Sequence, residues 1–200
     1  MAELNAVGDV VVTDPRAMRA LASSERLALH DALRRHGPLT AEELAARLER
    51  SSGDVLEHLA ALQDVALVER SETQGGDRPA EWVAIGKGIH FEIPEDPDGQ
   101  DAARQLTSAM ILQKADLPQR WVTQDEPQLS IAWARAAGML HARVVVTTTE
   151  LQDIQAGLET VLEPYLKRQA DSAPAEARQV RILSYFMPEP GEEKAAAPET

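Results

Sequence analysis

The stretch TAEELAARLERSSGDVLEHLAALQDVALVER, residues 40–70, decides how this chain is read. Thr40 with Glu43 forms a capping box: the hydroxyl accepts from the Glu43 amide while the Glu43 carboxylate reaches back to the Thr40 amide. Leu44, Ala45 and Leu48 then fall on one face of a short helix. Glu49-Arg50-Ser51 is a polar break. Ser51 stands three residues before Asp54, a second capping box, and Val55, Leu59 and Leu62 recur at i, i+4 and i+7 as the buried stripe of a second helix. Two capped helices joined by a three-residue turn make a helix-turn-helix unit.

The flanks extend that unit. Upstream, TDPRAMRALASSERLALHDALRRHGP (residues 13–38) reads as helix, with Asp14 as cap and Pro15 at the first helical position. Met18, Leu21, Leu29 and Leu33 supply its apolar face, Gly37-Pro38 ends it, and the SSER at 23–26 is where it would divide in two. Val10–Thr13 is a short β-prone run. Downstream, Leu67–Glu72 and Ala80–Ile85 are two β-like runs joined by a Gly-Gly-Asp turn, a hairpin. The Gly86 and Gly88 of GKGIHFEIP lack a third glycine and a strand-to-helix context, so they read as the turn after the hairpin and not as a phosphate loop.

Beyond residue 93 the composition changes. PEDPDG at 94–99 reads as an acidic, proline-rich linker. A helix follows at 101–117 with Leu106, Met110, Ile111 and Leu117 turned inward. The segment 129–150 reads as a hairpin bending near Ala137-Gly138. A second long helix is expected to be capped by Thr149 with Gln152, carry Leu151, Ile154, Leu158, Leu162 and Tyr165 on its apolar face, and bend or end at Pro164. ARQVRILSYFMP at 177–188 reads as a final strand. The expected class is α+β: a winged helix-turn-helix domain at 14–93, a C-terminal helix–hairpin–helix–strand region at 100–188 for dimerisation or effector binding, and a low-complexity, disordered tail at 189–200.

The first of these parts resembles a known family. RAMRALASSERLALHDALRRHGPLTAEELAARLERSSGDVLEHLAALQDVALVE is similar to the ArsR-type winged-helix transcriptional regulators through Arg26, Leu27, Leu29, Leu33, Thr40, Glu43, Leu44, Ala45, Leu48, Ser51, Val55, His58, Leu59, Leu62, Leu67 and Val68. GGDRPAEWVAI matches the wing, with Arg78 at its tip and Trp82 on the returning strand. More loosely, the remainder resembles the C-terminal extension of a branch of regulators with no assigned effector. The resemblance implies a homodimer whose third helix enters the major groove of double-stranded DNA while the wing reaches phosphate or the minor groove. It places Ser52, Gly53, Leu56 and Glu57 at groove-facing positions. Arg47, Arg50, Ser51, His58, Arg70 and Arg78 complete the expected interface, with Arg50 and Arg78 best placed for phosphate.

The charges complicate that expectation. The formal net charge is −13, whereas DNA-binding proteins draw affinity from Lys and Arg that release counterions. The deficit is uneven: residues 14–90 hold ten Lys and Arg against thirteen Asp and Glu, and residues 91–200 hold ten against eighteen. Glu57 is repelled by phosphate, yet a glutamate accepts from cytosine N4. Leu56 is either an exposed apolar group or a contact for a thymine methyl. His58 reads first as a packing residue, and Arg34 and Arg35 as a basic last turn that complements the helix dipole. The alternative reading keeps the fold and gives the Leu56/Glu57 surface to a protein partner.

Other functions find no support in the residues. There is no cysteine, hence no disulfide, thiolate metal site or cysteine nucleophile, and His30 and His141 stand isolated, so neither metal nor cofactor is expected. No nucleophile elbow, phosphate loop or metal motif points to an enzyme. No apolar run approaches a membrane span and no secretory signal is visible, which fits a cytoplasmic protein. Trp121, Trp133, Met110, Met139, Tyr165 and Phe186 read as core of the C-terminal half, or as the lining of a small-molecule pocket.

Overall fold

The run that begins at Thr13 does divide where the serines stand. In the computed structural model, which describes residues 3–5, 8–71, 79–168 and 173–190, a short strand β1 (Val10–Val12) leads into helix α1 (Pro15–Leu21). Asp14 accepts from the Arg16 amide at 2.8 Å, and Pro15 opens the helix where its missing N–H costs nothing. Ser23 then caps α2 (Ser24–His36). The Arg26 guanidinium donates to the Ala20 carbonyl at the end of α1, so it fastens the bend between the two helices. Gly37, at φ 81°, ends α2.

A two-residue strand β2 (Leu39–Thr40) precedes α3 (Ala41–Leu48), whose capping box forms as expected: Thr40 N donates to Glu43 Oε2 at 2.8 Å, and Glu43 N donates to Thr40 Oγ1 at 3.2 Å. Helix α4 (Ser52–Gln63) begins with Ser51 Oγ accepting from the Asp54 amide at 3.2 Å. Then come β3 (Val68–Arg70) and β4 (Glu81–Ala84), paired antiparallel with Val68 opposite Ala84 and Arg70 opposite Trp82. β2 adds to the far edge of β4, Leu39 facing Trp82, so the order of this sheet is β2-β4-β3. Helix–helix–strand–helix–helix–hairpin with this strand order is a winged helix-turn-helix, and the class is α+β. The Gly75-Gly76-Asp77 turn and Glu72 lie outside the described residues.

Met18, Leu21, Leu29, Leu33, Leu44, Leu59, Leu62 and Leu67 are fully buried and form the core between these helices and the sheet. Each such side chain contributes roughly 1.5–3 kcal/mol through removal from water. The inner positions expected on α3 and α4 are the ones buried, with Leu48 half-covered.

Three features depart from the sequence reading in this half. The segment after β4 is not only a turn: Ile89–Phe91 is strand β5, parallel to β1 with Val10 opposite Ile89. Gly86 and Gly88 serve that contact. Gly86 has φ 78°, and a Cβ there would lie 2.7 Å from the Val10 nitrogen. The acidic stretch at 94–99 is in part a helix start, since Asp96 accepts from the Gly99 amide at 2.8 Å and Pro97 opens α5 (Pro97–Lys114). Finally, α5 packs on α1 and adds Ala102, Ala103 and Leu106 to the winged-helix core. Met110 is partly buried there, but Ile111 points outward at 40% exposure.

The chain divides into two compact units, Met1–Arg143 and Val144–Thr200. The first continues past α5 through α6 (Leu117–Arg120), a π-helical turn, a 3-10 turn and α7 (Ile131–Ala136). The hairpin expected over 129–150 is therefore absent: its first arm, Ile-Ala-Trp-Ala-Arg-Ala, is helical because alanine is the strongest helix former. Residues 137–147 are neither helix nor strand. In the second unit α8 (Thr148–Leu166) is capped two residues earlier than expected, by a Thr147–Glu150 box, and Pro164 sits in its last turn. The strand expected at 177–188 does not form. A β-prone run specifies extended backbone, but a strand needs a neighbour to take its hydrogen bonds, and none pairs with it among the described residues. No described residue of this second unit is buried. Residues 191–200, the expected tail, lie outside the described residues.

Candidate nucleic-acid interface

The α3–α4 turn sets the geometry of the candidate site. Glu49 adopts φ 54° and ψ 48°, the left-handed conformation that closes a helix, and Arg50 donates its amide to the Ala45 carbonyl at 3.0 Å. The chain therefore reverses within Glu49–Ser51 and sends α4 off with its core stripe Val55, Leu59 and Leu62 inward. The opposite side of α4 is presented outward: Gly53, Leu56, Glu57 and Ala60 are all exposed, and Leu56 is 45% exposed despite being apolar.

The arginines sort into two groups. Those of α1 and α2 are largely engaged within the fold. Arg19 pairs with Asp98 at 2.5 Å and so links α1 to the start of α5. Its own pKa is raised by that hydrogen bond. Arg34 donates to the Lys87 carbonyl at 2.5 Å and lies 3.4 Å from Asp31, and Arg35 meets Asp31 at 2.8 Å. The interface residues differ. Arg47, in the last turn of α3, and Arg50, in the turn, are exposed and have no carboxylate partner among the described residues. Arg70 lies at the end of β3 with its guanidinium carbon 5.6 Å from the centre of the Trp82 ring. Stacking of that kind holds an arginine in place and leaves its N–H edges free. Trp82 is 4% exposed, so the wing offers Arg70 a rigid seat. The sequence pairs these two residues only through the hairpin register, which a count of alternating positions would have given.

The remaining expected residues are placed as follows. Ser51 is spent on the helix cap, and Ser52 is half-buried beside it. His58 is half-buried. The Glu25 carboxyl is held below its ordinary range first by a backbone hydrogen bond, then by the Ser24 and Ser23 hydroxyls, with His58 adding to the effect. Arg78 lies outside the described residues. Glu49, Asp54, Glu57, Asp64 and Glu69, on the α3–α4 turn, α4 and β3, are exposed carboxylates of the same elements.

An open groove of about 590 Å³ runs along α5, lined by Ile93, Ala103, Arg104, Thr107, Ile111 and Leu112. It contains none of Trp121, Trp133, Met139, Tyr165 or Phe186, the side chains expected to line a pocket. Among the described residues no group of three or more His, Asp or Glu is arranged to hold a metal ion, and no helix is long and apolar enough to cross a membrane.

Residues 13–83, from the cap of α1 into β4, match the model of the HVO_A0114 family. No curated protein matches the chain. Among solved structures the chain is similar to RV1404 from Mycobacterium tuberculosis, with 14% identity over 72% of this chain and 81% of that one and a TM-score of 0.30. It is also similar to Staphylococcus aureus MarR, solved in complex with salicylate and kanamycin, with 16% identity over 74% of this chain and 75% of that one and a TM-score of 0.29. Identities and scores this low decide nothing about function; the side chains on α3, α4 and the wing must do so.

Proposed function

We propose that the chain is a DNA-binding transcriptional regulator of ArsR type that works as a homodimer, with paired α4 helices in successive major grooves and the wings on the flanking backbone. The observation that carries this reading is the sorting of the arginines. Those of α1 and α2 are largely bonded within the fold, whereas Arg47, Arg50 and Arg70, in the last turn of α3, the α3–α4 turn and β3, have no carboxylate partner among the described residues. Three cations per chain, added to by Arg78, are few for a protein of net charge −13. Binding is accordingly modest and steeply dependent on salt. The second copy docks on the open face of α5, where Ile93, Ile111 and Leu112 are 70%, 40% and 71% exposed.

The test is fluorescence anisotropy with duplex DNA from the region upstream of the coding sequence, across a salt series, with an unrelated duplex of equal length as control. Eight phosphate contacts, from Arg47, Arg50, Arg70 and Arg78 of two copies, predict a slope of log K against log salt near −7, at about −0.9 per contact. A folded protein that binds neither duplex at low salt refutes the reading. In that event Leu56, apolar and 45% exposed, favours the second reading, a winged helix that docks on another protein.

A further inference from the structure

We infer that α4 selects a half-site in which Glu57 accepts a hydrogen bond from a cytosine amino group and Leu56 packs on a thymine methyl; this rests on the DNA-binding reading above. The argument is an inventory of what α4 turns away from the core. At 3.6 residues per turn, burial of Val55, Leu59 and Leu62 leaves Gly53, Glu57 and Ala60 nearly in line on the far side, with Leu56 next to them. No side chain in that set carries a hydrogen-bond donor. Ser52 lies toward the core side and is half-buried, and Gln63 is the last residue of the helix, far from the N-terminal part that meets base edges.

The major-groove edges of the bases then discriminate among themselves. Guanine shows two acceptors, N7 and O6, and finds no donor among the outward side chains Gly53, Leu56, Glu57 and Ala60. Adenine shows an amino donor beside the N7 acceptor, so half of its pattern goes unmet. Cytosine shows the amino donor at N4, which an ionised carboxylate is built to accept. Thymine adds the single apolar group in the groove, its methyl, opposite the apolar side chain that α4 leaves 45% exposed. Gly53 and Ala60 bracket Glu57 with almost no side chain. A Cβ at Gly53 would meet only Ser51 Oγ, at 3.8 Å, so this fold has room for a larger residue there. A glycine weakens the helix, and its use here lets the backbone come close enough for the Glu57 carboxylate to reach a base.

Glu57 thereby exchanges affinity for selectivity, because its charge repels every phosphate while its acceptor rewards one base. That gives the test an unusual sign. The full chain and its Glu57→Gln, Glu57→Arg and Leu56→Ala variants are used to select from duplexes with a randomised half-site, and affinities for the winners are measured by anisotropy. Glu57→Gln should bind unrelated duplex more tightly than the parent, yet discriminate for cytosine about tenfold less. Glu57→Arg should move the preferred base at that position from cytosine to guanine. The parent should bind a thymine site better than the same site with deoxyuridine, which lacks only the methyl, and Leu56→Ala should lose that difference. If the parent selects a site and Glu57→Arg selects the same base, the inference is overturned and the DNA-binding reading stands. If the parent binds no duplex at low salt, both fall.

Discussion

His30 lies on α2 and is buried to 1% exposure, the single polar residue among the buried side chains described. It makes a backbone hydrogen bond with Ile85, and its Nε2 has no partner among the described residues. Burial pushes its pKa down from 6.5 to about 4; Arg34 adds to the fall, while Asp31 and the Ile85 bond oppose it. Between those two values the unfolded chain holds a proton that the folded chain refuses, so folding stability falls as the pH falls. The contribution is intact above 6.5 and lost progressively toward 4. The full span is about 3 kcal/mol at roughly 1.4 kcal/mol per unit, and by pH 5 about 2 kcal/mol of it should be gone. The assay is urea unfolding followed by far-ultraviolet circular dichroism at about pH 7.5, 6 and 5, on the parent and on His30→Gln. The glutamine keeps an amide donor for Ile85 and cannot take a proton. It should start less stable, by about 1–2 kcal/mol for imperfect packing, and lose far less on acidification. The other four histidines are common to both chains and cancel. Equal losses in parent and variant between pH 7.5 and 5 would refute the assignment of the acid sensitivity to His30.

Arg50→Ala should flatten the salt slope of DNA binding by about one unit per site contacted without altering the unfolding curve, measured by anisotropy and urea titration; Arg70→Ala should do the same, with a further small loss from its seat on Trp82. Glu49→Gly should stabilise the first unit by about 1 kcal/mol, because the left-handed conformation at φ 54° costs roughly 1–2 kcal/mol for a residue with a Cβ; a lower urea midpoint would contradict it. Leu112→Glu, on the open face of α5, should shift the protein from dimer to monomer in light scattering at micromolar concentration while leaving its helical content intact.

The winged helix was legible because its signals are local. Capping boxes act within four residues, as Thr40 and Glu43 show, and a buried stripe such as Val55, Leu59 and Leu62 repeats within one helix. The hairpin was legible for a similar reason, since the runs that become β3 and β4 flank a glycine-rich stretch of sequence and pair antiparallel. The same locality explains the errors. Ile131–Ala136 alternates like a strand, but alanine prefers helix and no strand among the described residues pairs with it. Val10–Val12 is β-prone by composition, yet its partner Ile89–Phe91 is some eighty residues away and carries too short a pattern to stand out alone. The candidate site divided along the same line. Which residues face outward on α4 followed from helical periodicity. Which arginines are free did not, because Arg19 is claimed by Asp98 and Arg34 by the Lys87 carbonyl, across 79 and 53 residues of chain. Short-range hydrogen bonding and periodicity are written in the order of the amino acids; charge pairing and strand pairing depend on distances that exist only once the chain has folded.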